Sequence, residues 1–258
     1  MSYLTNPYMV TPAVEPIDDT DLKGYWKFNE TSGDIINVSE SSADLGSGAD
    51  IQMTGGTYNQ SAGSPFGYSM LFDGVDDFGV FGTSKSQFKF THDNSGITTT
   101  ICYWTKVVSF PTANEDYFLS IINTDDGKGF FQRNNTNQTT THFINSGGSG
   151  DILVNAKTTS NYIPNTSDWF FLVYTYDQSE SSNNLSYFRN AGNEENGTKT
   201  SLTPSSDDST YVLTVGARGS DHTQFLHGYI AEMSIWDKIL DSDTISALYN
   251  GGSGRAIY

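Results

Sequence analysis

The chain has 258 residues, of which 36% are hydrophobic, 14% aromatic and only 17% charged, a balance that suits a large all-β domain of many strands joined by turns. Its formal net charge is −17, with thirteen Lys and Arg and no basic cluster, which excludes nucleic-acid backbones and anionic membrane surfaces as partners. A single cysteine, Cys102, rules out an intrachain disulfide, and no apolar run reaches membrane-spanning length.

Residues 1–20 differ from the rest of the chain. They carry three of the seven prolines and show no periodicity, so they read as an extended N-terminal arm. Tyr3, Leu4, Tyr8, Met9 and Val10 give the arm apolar anchors. Such an arm lies on a neighbouring copy, on a larger assembly, or around its own domain. No basic stretch followed by an apolar core opens the chain, so no signal peptide is expected.

From residue 21 onward short apolar runs alternate with turn signals. Strands are expected at 22–28, at 68–81 on both sides of the turn at Asp73 and Gly74, at 98–110, 117–123, 129–133 and 151–155, then at 169–176, 185–189, 211–215 and 228–236. Residues 134–141 and 178–184 read as long polar loops. The run 169–176 is apolar on both faces, as an inner strand is. Cys102 falls inside a strand and is expected to be a buried small hydrophobe.

The one expected helix comes after the last strand. Asp241 is its N-cap, Ser242 and Asp243 open its first turn, and Asn250 with Gly251 closes it. Ile239, Leu240, Ile245, Leu248 and Tyr249 fall on one side. Eleven closely spaced strands with no alternating helices give an antiparallel β-sandwich of the jelly-roll kind, a single domain over residues 21–258.

Few residues read as chemistry. Asp76 with Asp77, and Asp125, Asp126 and Gly127, sit in turns that lack the spaced acids of a calcium loop. None of the four histidines lies in a nucleophile motif; His222 and His227 are five apart. The paired carboxylates that glycoside hydrolysis requires are not apparent: Glu180 stands in a polar loop, Glu194 and Glu195 in a turn, and Glu232 on the last strand has no evident partner.

Four segments in order resemble the concanavalin A-like superfamily, in particular its laminin G-like domains and their pentraxin relatives. They are residues 24–33 (GYWKFNETSG), 71–78 (LFDGVDDF), 98–106 (TTTICYWTK) with 168–177 (DWFFLVYTYD), and 213–216 (LTVG) with 228–252. The resemblance implies two curved antiparallel sheets and an adhesion or glycan-binding role. It also implies calcium held by acidic loops: Glu115 and Asp116 match the first loop. The second loop reads ARGSDH over residues 217–222, with Arg218 where a carboxylate is expected, which leaves a single site on Glu115, Asp116 and Asp221.

The expected function is therefore a non-catalytic, oligomeric surface subunit of a virion, a decoration or tail protein anchored by residues 1–20 to other subunits and binding glycans. A secreted or cell-surface lectin or adhesin module is the alternative, and a glycoside hydrolase a distant third.

Overall fold

The computed structural model describes residues 15–82, 84–92, 97–112, 115–121, 128–136, 138–146, 152–157, 161–180, 185–192, 195–196, 211–219 and 221–258. The strands are β1 (Leu22–Trp26), β2 (Ile51–Thr54), β3 (Met70–Asp73), β4 (Phe78–Phe81), β5 (Thr98–Val107), β6 (Asp116–Ser120), β7 (Lys128–Asn134), β8 (Thr140–Ser146), β9 (Ile152–Lys157), β10 (Phe170–Asp177), β11 (Leu185–Arg189), β12 (Glu195–Asn196), β13 (Thr214–Val215) and β14 (His227–Trp236), and the helix after them is α1 (Ser242–Tyr249). All pair antiparallel. One sheet runs β1-β14-β5-β10-β11-β12, with β3 beside the other half of β14; the second runs β2-β4-β13-β6-β7-β8-β9. This is the expected all-β sandwich with one short C-terminal helix. Among the described residues no helix is long and apolar enough to cross a membrane.

Side-chain alternation builds two apolar layers. Along β5, Ile101 and Tyr103 face the core between the sheets, which they share with Trp26, Phe118, Leu172 and Met233. Cys102 and Trp104 face outward and meet Phe171, Val173, Leu240 and Leu248 in a second cluster beneath α1. This is why residues 170–176 read as apolar on both faces: one face packs the sandwich and the other packs the helix.

Asp241 caps α1 as expected, accepting a hydrogen bond from the Thr244 amide at 2.7 Å, and Asn250 ends the helix in the left-handed conformation. Leu240, Ile245 and Leu248 are buried, each contributing on the order of 1.5–3 kcal/mol. Ile239 departs from the expected stripe and is 38% exposed.

Two expectations change. The strands on either side of Asp73 and Gly74 form no hairpin: β3 joins β14 and β4 joins β2 and β13, so the turn carries the chain from one sheet to the other. Asp77 holds this crossing, its carboxylate accepting from the amides of Gly56 at 2.6 Å and Asp73 at 2.9 Å. Residues 134–141 are not a long loop but a tight link between β7 and β8, closed by the Asn135 amide on the Thr139 carbonyl at 3.1 Å. For the arm, one of the three expected supports is seen at its described end. Its described end packs on its own domain: Ile17 joins the outer cluster, Asp18 pairs with Lys238 at 3.1 Å, and Arg255 donates to the Glu15 carbonyl. The anchors Tyr3, Leu4, Tyr8, Met9 and Val10 lie outside the described residues.

Candidate functional site

The outer face of the first sheet is only partly covered by α1, and a groove opens beside the helix. Its floor is β5, where alternation sends Trp104 and Lys106 to the same outward face. Trp104 lies opposite Phe171 of β10 and is itself buried. The Tyr249 ring stacks near it, with centroids 5.8 Å apart and an interplanar angle of 16°, and Phe66 meets it edge-on at 5.9 Å.

One wall is the segment just before β10. Trp169 is half-buried, and its indole N–H donates to the Ala62 carbonyl at 3.1 Å. Lys106 Nζ donates to the same carbonyl at 3.2 Å, so two side chains staple the opposite wall to the sheet. That wall bends through left-handed conformations at Ala62 (φ 38) and Gly63 (φ 76). Asp168 is exposed at the mouth, its carboxylate accepting from Asn165 Nδ2 at 2.9 Å and Ser167 Oγ at 3.2 Å. The groove encloses about 340 Å³, within the size range of small-ligand sites. Its lining sets the half-buried Trp169 and Tyr249 rings, over the buried Trp104, beside one ammonium, one carboxylate and one hydroxyl.

None of these residues stood out in the sequence as a site. Trp104 and Trp169 read as strand residues and Tyr249 as helix packing. No periodic signal distinguishes an outward aromatic residue under a helix from one beside it.

The calcium candidates fall on the second sheet. The β6 chain and the loop after β13 do meet there, the Tyr117 amide donating to the Gln224 carbonyl at 3.3 Å. Their carboxylates are nevertheless taken by arginines: Glu115 pairs with Arg133 at 3.3 Å, and Asp221 receives Arg218 Nε at 2.9 Å. Asp116 is half-buried, and that burial pushes its carboxyl up to about 7. Among the described residues, the three acids whose oxygens lie within 4.8 Å of one another are instead Asp73, Asp76 and Asp77. Two of the three serve backbone amides: Asp77 as above, and Asp73 for Val75 at 2.8 Å. His222 stacks on Phe78 at 4.1 Å and His227 Nδ1 lies 2.8 Å from Ser109 Oγ, so each has its own separate contact.

Glu232 has an unforeseen setting. Between Ala231 and Ser234, β14 advances three residues against the two from Trp104 to Cys102 on β5, a bulge, and Glu232 takes φ 50 there. Its carboxylate is buried and accepts from the hydroxyls of Tyr25 and Tyr68. Burial raises its carboxyl to about 6, opposed by the two tyrosines and Lys27. Tyr25 in turn accepts from the Ile257 amide at 3.2 Å, so the unit ties the C-terminal tail to the sheet. The partners of Glu232 are tyrosines and not a second carboxylate.

A family profile described as the concanavalin A-like lectin/glucanases superfamily matches residues 81–246. No curated protein sequence matches the chain. Among solved structures, Trypanosoma rangeli sialidase in complex with sialic acid is similar with a TM-score of 0.61 and 11% identity, over 89% of this chain and 32% of that one. The binding domain of botulinum neurotoxin DC in complex with rat synaptotagmin II is similar with a TM-score of 0.62 and 13% identity, over 91% of this chain and 52% of that one. The same toxin domain in complex with SialylT gives 0.58 and 13%, over 89% and 51%. At these identities the likeness is one of fold, and the chain spans about a third of the sialidase and half of the toxin domain.

Proposed function

The chain belongs to the concanavalin A-like lectin/glucanase superfamily, and from that premise we propose that it is a non-catalytic glycan-binding domain whose sugar site is the groove beside α1. The observation that carries this is the pair of half-buried rings, Trp169 and Tyr249, on one open groove with a polar rim, held over the buried Trp104. A pyranose presents a C–H face, which packs on aromatic rings, and an equator of hydroxyls, which need donors and acceptors together. Among the described residues Asp168 is the one carboxylate lining the groove, whereas a glycosidase of the usual kind needs two flanking the scissile bond.

Titration of the full chain with glycans that bind on an array tests this. Trp169→Ala should weaken binding at least tenfold while leaving the fold intact by circular dichroism; unchanged affinity would remove the groove as the site. The calcium proposal on Glu115, Asp116 and Asp221 requires Arg133 and Arg218 to release their carboxylates, so glycan binding at the groove should survive a chelator.

The placement of this domain on a virion surface, with oligomerisation through residues 1–20, is supported by the Pro-rich, apolar character of that arm and the acidic surface. Residues 15–20 lie on the domain itself, so an anchor would be formed by the apolar residues before them. A secreted or cell-surface lectin module would use the same groove.

A further inference from the structure

Resting on the glycan-binding reading of the groove, we infer that its ligand class is a neutral glycan and that Asp168 selects against acidic ones. The rim is amphoteric. Asp168 offers acceptor oxygens at the mouth and Lys106 offers the N–H donors it does not spend on the Ala62 carbonyl, while the Ser167 hydroxyl is turned to Asn165 and Asp168 and offers lone pairs. A sugar hydroxyl is both donor and acceptor, so it satisfies each of these groups in turn. The carboxylate of a sialyl or uronyl residue, or a sulfate, is an acceptor only and meets Asp168 lone pair to lone pair.

Recognition of an anionic sugar calls for an arginine fork or several free N–H groups aimed at one point. Here, among the described residues, Lys106 is the one cation lining the groove, and both its ammonium and the Trp169 indole N–H are directed at the Ala62 carbonyl. The wider field points the same way, because the chain carries a formal charge of −17. Two like charges about 4 Å apart in water disfavour association by about fivefold, and by more where the site is drier.

The test is a set of neutral oligosaccharides, each paired with its sialylated or sulfated counterpart, titrated against the full chain and against Asp168→Asn and Trp169→Ala. Asp168 is exposed, so its replacement should leave the fold undisturbed. The inference expects the neutral member of each binding pair to be favoured by at least about fivefold. Asp168→Asn should narrow that gap to less than about twofold, since the amide keeps an acceptor oxygen but loses the charge. Equal or tighter binding of acidic members that Trp169→Ala abolishes would overturn the neutral class and leave the groove as a glycan site. Binding that Trp169→Ala leaves untouched, or no binding by any pair, would overturn the glycan reading and this inference with it.

Discussion

Replacing Glu232 by Gln should stabilise the protein at neutral pH and have no effect in acid. The carboxyl is raised from its ordinary 4.5 to about 6, chiefly by burial, so the folded chain binds this proton more tightly than the unfolded chain does. The favourable contribution is then fully present below about pH 4.5 and lost as pH rises through 6. A displacement from 4.5 to about 6 corresponds to roughly 2 kcal/mol. The glutamine amide keeps one oxygen for one tyrosine and turns its N–H₂ to the other, whose hydroxyl also accepts. At pH 7.5 the variant should therefore gain up to about 2 kcal/mol, or about 4–8 °C in melting temperature for a domain of this size. Urea unfolding monitored by tryptophan fluorescence from pH 4 to 8 measures the gap between the two proteins. Asp116, pushed up to about 7, titrates in both and cancels in the difference. A gap that stays constant with pH, or that favours wild type more as pH rises, would refute the reasoning.

Two further outcomes are expected. Asp241→Ala removes the acceptor for the Thr244 amide and should cost about 1 kcal/mol by thermal unfolding. That hydrogen bond holds the Asp241 carboxyl below its ordinary value, so the penalty should fade as pH falls through the carboxylate range. Deleting residues 1–14 should leave a folded domain, because the contacts of Ile17 and Asp18 remain, but should reduce the particle mass seen by light scattering. An unchanged mass would sink the arm as an anchor.

The elements most legible in the sequence are those whose local signals agree with their packing. The strand and helix ending at Tyr249 carried an N-cap, a C-cap and an apolar stripe, and each serves that purpose in the structure. Elements that escaped had weak local signals. β2 is four residues long and buries only Ile51, and Glu195 and Asn196 read as a turn while forming the edge strand β12. The bulge at Glu232 was invisible because an extra residue in a strand leaves no mark on an alternation already interrupted by Ala231 and Ser234.

The groove escaped for a different reason. Binary alternation reveals that a strand is apolar on both faces, but not how far its outer cover extends. α1 has only eight residues, about 12 Å of helix, against a sheet of several strands. What it leaves uncovered is decided by the length of one helix and by a loop stapled through the Ala62 carbonyl. Trp104, Trp169 and Tyr249 come from three separate segments, and they line one groove where Tyr249 ends that helix. One more turn on α1 would be expected to extend the cover beyond Trp104, already buried, towards the half-buried Trp169, and the same sequence pattern would then describe a closed core with no groove.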